Sequence, residues 1–215
     1  MIYDSTDDEI ELDPFNGYEY VDLGLPSGTL WAKCNVGAET ETDFGLYFAW
    51  GETVGYSAAT STKQFSWSDY KWGTDTAISK YNSTDGKTVL ELEDDAARVN
   101  MCGGWYMPTL TQANELISGC NWTSVTDYYS TGVNGLLATS RTNSNTIFFP
   151  CAADYRNGVL GDVGGQLFSW LQNKGTDNTS ARCMYCYRGA TYMSINAESG
   201  GARCYGRTVR GVINL

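Results

Sequence analysis

The stretch Tyr20-Val-Asp-Leu-Gly-Leu-Pro-Ser-Gly-Thr-Leu-Trp-Ala32 decides how the fold begins, because it holds two apolar runs on either side of a tight turn. Residues 18–23 roughly alternate aromatic or aliphatic side chains with acidic ones, which is the period of a half-buried strand. Residues 26–28, Pro-Ser-Gly, predict a turn, and residues 29–32 predict a second short strand. We therefore expect the domain to open with a β-hairpin.

Helical signals are few. Residues 93–98 place three acids before Arg98, the order that a helix dipole favours, and we expect these acids to form a solvated first turn. Thr109 is a good N-cap, and Gly119 is a natural end for the helix that follows it. Between them the apolar side chains recur at three- and four-residue steps, which predicts one buried face.

The remaining segments predict an α+β domain with much irregular chain. Residues 53–90 are rich in Gly, Ser, Thr and Asp, and their aromatic residues Phe65, Trp67, Tyr70 and Trp72 are expected to attach a long loop to the core. Residues 146–150 predict a short buried strand, and residues 208–213 alternate and should close the sheet. The chain from Cys151 to that closing strand is predicted to be irregular. Loops of this kind commonly carry function.

Length and composition predict one domain. A chain of 215 residues falls within the usual size of a single domain, here residues 18–215, after an acidic tail or linker at 1–17. No apolar run approaches the roughly 20 residues that cross a bilayer. The first residues are acidic, whereas a secretory signal begins with a basic and then an apolar stretch. Either the chain is not secreted by that route or it is a segment of a longer protein, and we expect no membrane insertion.

Charge is distributed unevenly along the chain. Residues 1–97 hold 19 acidic residues against five lysines, a balance of −14, whereas residues 154–215 hold seven basic residues against four acidic ones. Nucleic-acid binding depends on clustered Lys and Arg that release counterions, so the acidic body argues against a nucleic-acid partner. The C-terminal part differs chemically from the rest.

The chain has no histidine, which excludes Ser/His/Asp triads, Cys/His dyads and histidine-based metal sites within it. Its seven cysteines have spacings unlike a disulfide framework, and we expect mostly free, buried thiols. Cys183 and Cys186 have the spacing of a zinc knuckle or a redox pair, but strand alternation would place the two thiols on opposite faces. The sequence therefore predicts no catalytic residues, no metal site and no cofactor.

Six segments, taken in order, resemble C-type-lectin-like domains of the formylglycine-generating-enzyme subclass, in particular the Fibrobacter major paralogous domain family. The first is the opening stretch from Tyr20. The others are Phe44-Gly-Leu-Tyr-Phe-Ala-Trp-Gly-Glu52, Asp94-Asp-Ala-Ala97, Gly103-Gly-Trp-Tyr-Met-Pro-Thr-Leu110, Ile147-Phe-Phe-Pro-Cys-Ala-Ala-Asp-Tyr-Arg-Asn-Gly158 and Gly206-Arg-Thr-Val-Arg-Gly-Val212. The resemblance implies a C-type-lectin-like fold with short antiparallel strands, about two helices and extensive irregular loops.

Some members of this subclass are variable proteins of diversity-generating retroelements, whose C-terminal segment is diversified to bind different ligands. The chain follows the family pattern up to Ala153 and departs from it over the next fifty or so residues. We therefore predict a diversified ligand-binding segment at 154–207, rich in the Tyr, Trp and Arg residues that carry binding energy in paratopes. The predicted ligand-binding residues are Arg156, Asn157, Leu160, Asp162, Gln166, Trp170, Arg182, Tyr185, Arg188, Tyr192, Asn196, Arg203, Tyr205 and Arg207.

The resemblance implies a non-catalytic, adhesin-like domain that binds a protein or glycan receptor on a cell or phage surface. It would be part of a larger protein displayed on a phage tail, a pilus tip or a cell envelope. Two alternatives remain open. One is an oxidase of the formylglycine-generating type, with Cys183 and Cys186 as its reactive thiols. The other is a purely structural domain of a larger surface protein.

Overall fold

The structure is a computed structural model that describes residues 13–59, 62–195 and 201–215. It is mostly sheet with two α-helices, as an α+β domain requires. The helices are Ala96–Met101 (α1) and Leu110–Gly119 (α2). The strands of the described residues are Tyr20–Asp22 (β1), Leu30–Asn35 (β2), Cys120–Val125 (β3), Gly135–Ser140 (β4), Thr146–Pro150 (β5), Tyr155–Arg156 (β6), Val159–Leu160 (β7), Gln166–Lys174 (β8), Ser180–Tyr187 (β9), Ser194–Ile195 (β10), Gly201–Ala202 (β11) and Arg210–Ile213 (β12).

The predicted opening hairpin is confirmed. β1 pairs antiparallel with β2, with Val21 opposite Trp31. The closing strand β12 lies antiparallel on the other side of β2, with Val212 opposite the same Trp31, so the two ends of the domain meet in one sheet. Because Trp31 is fully buried, this sheet carries its apolar side chains into the core.

The second predicted helix is also confirmed. Thr109 caps α2, and its hydroxyl accepts a hydrogen bond from the Gln112 backbone N–H at 3.2 Å. The Gln112 side chain reaches back to the Thr109 backbone, which completes a capping box. Ala113 and Leu116 are buried, so the predicted face of the helix packs on the core.

Of the three acids before α1, Glu93 is exposed as the sequence predicted, but Asp94 and Asp95 are not. A short 3-10 turn at Leu92–Asp94 precedes the helix, and Asp94 and Asp95 are both buried. The carboxylate of Asp95 accepts from the backbone N–H of Arg98 and of Met107, so it ties the helix start to the following chain. A buried carboxylate is tolerated here because hydrogen bonds replace its water.

β3, β4 and β5 form an antiparallel meander, which confirms the strand predicted at 146–150. The chain between β2 and α1 contains isolated bridges and turns within its described residues, as predicted for 53–90. Phe65 and Tyr70 are buried, and Trp67 and Trp72 pack against the same cluster, so these rings do attach the long loop to the core.

The prediction that the chain is irregular between Cys151 and the closing strand is wrong. β8 and β9, the two longest strands of the described residues, lie inside this segment and pair antiparallel. The reason is burial on both faces. A strand with two buried faces has a continuous apolar run instead of alternation, so residues 167–171, Leu-Phe-Ser-Trp-Leu, lack the period of two that marks a half-exposed strand.

The β8–β9 hairpin separates the two largest core clusters. Phe168, Trp170 and Cys183 pack in one cluster, and Leu171 and Cys186 pack in the other. The hairpin is therefore central to the fold, with cover on both sides along most of its length.

Arg210 of β12 is fully buried, and its guanidinium joins three parts of the chain. It donates to the side chain of Asn35 at 2.9 Å, to the carbonyls of Ala32 and Lys33, and to the carbonyl of Phe148 at 3.1 Å. Burial lowers the pKa of Arg210 to about 10. These hydrogen bonds hold β2, β5 and β12 together and offset part of the cost of burying a cation.

Neither helix of the described residues has the length and apolar composition that would let it cross a membrane, since the longer, α2, has ten residues.

Candidate binding surface

Two hairpins place a group of rings and guanidinium groups at one surface. β6 and β7 form a short hairpin that carries Arg156, and β9 carries Tyr185 and Tyr187. Tyr205 lies in the turn that follows β11. We call Arg156, Tyr185, Tyr187 and Tyr205 the Tyr–Arg patch. Arg156 and Tyr187 are exposed and the other two are half-buried, so each offers part of its side chain to solvent.

The patch is built on Phe168 of β8, which is buried and lies opposite Tyr185 in the hairpin register. The ring of Phe168 stacks on that of Tyr185 at 6.4 Å and meets the ring of Tyr187 edge-on at 5.8 Å between centroids. The guanidinium of Arg156 lies 4.8 Å from the ring centre of Tyr205 and 5.6 Å from that of Phe168. Cation–π contacts of this kind hold the side chains in place before any ligand arrives.

A buried carboxylate sets the position of Arg156. Asp154 is 1% exposed and accepts two hydrogen bonds from Arg156, each of 2.8 Å, in a bidentate pair. It also accepts from Nε of Arg207 at 3.2 Å. Two arginines on one aspartate leave a net positive charge, and the exposed member of the trio is Arg156. The patch therefore offers a fixed cation beside aromatic faces.

A cleft of about 190 Å³ adjoins the patch. Tyr187 lines it together with Arg188 and Cys151, and the ends of β3 and β4 form its far wall. The exposed side chains of Arg188 and Asp162 form an ion pair of 2.7 Å beside it. Such an exposed pair contributes little to stability, so both groups remain available to a ligand.

Most of the residues predicted from the sequence to bind ligand do reach the surface. Asn157 lies at the tip of the β6–β7 hairpin, and Gln166 of β8 lies opposite Tyr187. Those exposed are Arg156, Asn157, Asp162, Arg188 and Tyr192, and those half-buried are Leu160, Gln166, Arg182, Tyr185 and Tyr205. Arg182 is set apart from the patch, because side chains alternate along β9 and its neighbours Met184 and Cys186 pack in the other cluster.

Three of the predicted residues are buried, so their assignment to the surface is corrected. Trp170 is fully buried, and its indole N–H donates to the carbonyl of Phe48 at 2.9 Å. Arg207 lies under the patch with its guanidinium 4.4 Å from the Trp170 ring. Arg203 is fully buried and donates to the carbonyls of Lys80 and Tyr81, which fixes the long loop. Asn196 lies outside the described residues.

The sequence reasoning missed Tyr187 and Asp154. Tyr187 is 51% exposed and follows Tyr185 by two residues, so it lies on the same face of β9. Recognition of β9 as a strand would have found it. Asp154 was taken only as the boundary of the segment, and no local signal marks an acid that will lie buried between two arginines.

All seven cysteines are free, and five of them are buried, as predicted. Cys183 and Cys186 pack in different clusters on opposite faces of β9, which confirms the expected alternation. Burial raises the pKa of both thiols, and it raises that of Cys151 and of Cys204 to about 12. The neutral thiol form is therefore favoured at each of these four positions.

The carboxylates of Glu91, Glu93 and Asp94 come close enough together to hold a metal ion. The ammonium of Lys80 already lies among them, at 2.5 Å from both Glu91 and Asp94 and 3.7 Å from Glu93. The lysine supplies the positive charge that the cluster requires, so the arrangement is an ion-pair network.

Comparison of the chain with models of protein families, with curated proteins and with solved structures finds no match.

Proposed function

We propose that this protein is a non-catalytic binding domain with a C-type-lectin-like fold, displayed on a cell or phage surface. Its ligand is a protein or glycan receptor, which contacts the Tyr–Arg patch. The observation that carries the proposal is that Tyr and Arg side chains from separate elements meet at one surface, where the buried ring of Phe168 supports them and Asp154 holds Arg156 in place. Side chains that are already ordered bind with a smaller loss of entropy.

The composition of the surface supports this role. Tyr and Arg are enriched among residues that dominate binding energy, because they offer large contact areas and both apolar and polar contacts. The resemblance to variable proteins of diversity-generating retroelements supports the further proposal that the exposed positions of 154–207 are diversified. In this view the buried members of the segment, among them Trp170 and Arg207, belong to the constant scaffold.

The alternative of a thiol-dependent oxidase has no supporting observation among the described residues. That chemistry needs two close, reactive thiols, whereas Cys183 and Cys186 lie on opposite faces of β9 with raised pKa values.

A binding screen against arrays of surface proteins and glycans tests the role of the patch. Arg156→Gln and Tyr187→Ala should each weaken binding of any ligand found by about tenfold or more, the loss typical of an interface hot spot. Arg141→Gln and Leu92→Ala are the matched controls, since both residues are exposed and lie away from the patch. Equal losses in the variants and the controls would reject the patch as the contact surface.

Sequence variation in the native population tests the diversification. Substitutions should concentrate at Arg156, Asn157, Tyr185, Tyr187 and Tyr205 and spare the buried residues that lie between them. Variation spread evenly over the domain would contradict diversification and would favour a purely structural role.

A further inference from the structure

A second surface, formed by other elements than the patch, has the shape and charge of a binding groove. Two clefts of about 530 and 500 Å³ lie side by side and share Glu19, Lys33 and Glu41 as lining residues. One end is formed by the residues around β1, and the other by the chain at 39–42 and 128–131. We call this surface the acidic groove.

The charge of the groove is strongly negative. Asp13, Glu19, Glu39 and Glu41 line it, and Lys33 is the single cation among the lining residues. Lys33 is already paired with Glu19 at 2.9 Å and lies 3.6 Å from Glu41. Four carboxylates against one ammonium leave three negative charges for a ligand to neutralise.

Exposed tyrosines line both ends of the groove. Tyr18 and Tyr20 are 38% and 44% exposed, and Tyr129 at the other end is 83% exposed. Each is supported from behind. Tyr20 stacks on Phe15 at 4.4 Å, Tyr18 meets Trp105 edge-on, and the ring of Tyr129 lies 4.4 Å from that of Tyr128. Exposed aromatic faces beside carboxylates bind cations, and guanidinium groups in particular, through stacking and ion pairing.

We propose that the acidic groove binds an extended, arginine-rich segment of a partner protein. An extended segment fits because the two clefts adjoin and have carboxylates and tyrosines in both, and arginine fits because it pairs with carboxylates and stacks on tyrosine rings. The chain's own first twelve residues carry five acids and no basic residue, the same sign of charge as the groove, so charge complementarity favours a different molecule. The proposal is independent of the ligand of the Tyr–Arg patch.

Nuclear magnetic resonance titration of the whole chain with the acetylated, amidated peptide (Gly-Arg)₄ tests the proposal. The control is the same peptide with citrulline in place of each arginine, because citrulline keeps the shape of the side chain and removes its charge. The arginine peptide should shift the backbone signals of residues 18–21, 33–42 and 128–131, and added salt should weaken the effect. The citrulline peptide should leave those signals in place.

A double variant identifies the contacts. The double variant Glu39→Gln, Tyr129→Ala should lower the affinity for the arginine peptide by about fivefold or more. This is the combined effect expected from the loss of one exposed ion pair and one cation–π contact. Asp75→Asn with Tyr192→Ala removes an exposed acid and an exposed tyrosine elsewhere, and it should change the affinity by less than about twofold.

Three outcomes would overturn the proposal. They are an equal response to the citrulline peptide, signal shifts scattered over the whole acidic surface, and equal losses in the two double variants. A fourth would come from light scattering, if it detects a dimer that Glu39→Gln converts to monomer. The occupant of the groove would then be a second copy of this chain.

Discussion

At the scale of single residues, burial decides the role of the arginines and aromatic residues of the C-terminal segment. Arg156 and Arg207 bind the same aspartate, yet Arg156 is exposed and Arg207 is 3% exposed. Sequence composition identified both as binding residues, because composition carries no information on which side of a strand or turn a side chain lies. The kinds of residue at the surface were thus predictable from the sequence. Which individual residues lie there could be decided only from the register of β8 and β9.

Trp170 provides a direct test of this distinction. Trp170→Ala should lower the free energy of unfolding by about 3–5 kcal/mol, because it empties a large buried site and removes one of the two donors to the Phe48 carbonyl, which keeps only the backbone N–H of Arg207. Tyr205→Ala, at a half-buried position of the patch, should cost much less. Urea unfolding followed by fluorescence measures both. A Trp170→Ala variant as stable as the parent would mean that this side chain lies at the surface, as the sequence alone had suggested.

Asp94 should make stability depend on pH. Burial alone would raise its pKa, but hydrogen bonds from Lys80, Tyr81 and Lys71 hold the pKa below its ordinary value of 3.8. A carboxyl with a lower pKa in the folded state stabilises the fold above the unfolded pKa, and this contribution disappears as the pH falls through the folded value. Asp94→Asn should therefore cost about 1–3 kcal/mol at pH 7, and the difference from the parent should shrink below about pH 4.

Asp95→Asn is the matched control for this measurement. Burial raises the pKa of Asp95, so its ionised form is disfavoured in the folded state and its pH dependence has the opposite sign. As the pH falls through the pKa of the Asp95 carboxyl, the free energy of unfolding of the parent should therefore rise relative to that of Asp95→Asn. Parallel pH profiles for the two variants would contradict the assignment of opposite environments to these neighbours.

At the scale of secondary-structure elements, local signals predicted those elements that local chemistry determines. The opening hairpin follows from alternation and a Pro-Ser-Gly turn, and α2 follows from the Thr109 cap and a periodic apolar face. β8 and β9 escaped prediction because their apolar runs result from burial on two faces, which depends on distant parts of the chain. A strand of this kind carries no periodic signal of its own.

The cap of α2 gives an element-scale prediction. Thr109→Ala should lower the free energy of unfolding by about 1 kcal/mol, because the N–H of Gln112 loses its acceptor. Thr111→Ala makes the same chemical change at an exposed position inside the helix, where alanine has the better helix propensity, so its effect should be close to zero or stabilising. Chemical denaturation of both variants measures the difference. Equal losses would mean that the Thr109 hydroxyl does not cap the helix.

At the scale of the whole molecule, the first and last strands of the described residues meet in one sheet, and the β8–β9 hairpin lies at the centre of the fold. β12 pairs with β2, Arg210 joins β2, β5 and β12, and the β8–β9 hairpin lies between the two largest clusters. The α+β class was predictable from few helices and many short strands. The packing of these parts against one another was not predictable, because it rests on contacts between residues far apart in the sequence, from 62 positions for Arg210 and Phe148 to 175 for Arg210 and Asn35.

Thiol reactivity reports on this packing as a whole. Of the seven cysteines, Cys102 is exposed, Cys34 is half-buried and five are buried. A thiol reagent should therefore modify one cysteine rapidly in the native protein and all seven in concentrated guanidinium chloride, since a buried thiol reacts only after the fold opens. Cys102→Ser should abolish the rapid phase. Several thiols that react together under native conditions would contradict the buried positions.

The alternation of side chains along β9 makes the domain a practical engineering scaffold. At the end of β9 the exposed Tyr187 follows the buried Cys186, so a library that randomises only Tyr187 and the exposed Arg188 after it, and keeps Tyr185, Arg156 and Tyr205, would leave the interior unchanged. New specificities could then be selected without a search for compensating core substitutions, because the residues that hold the fold and the residues that meet solvent are physically interleaved but chemically separate.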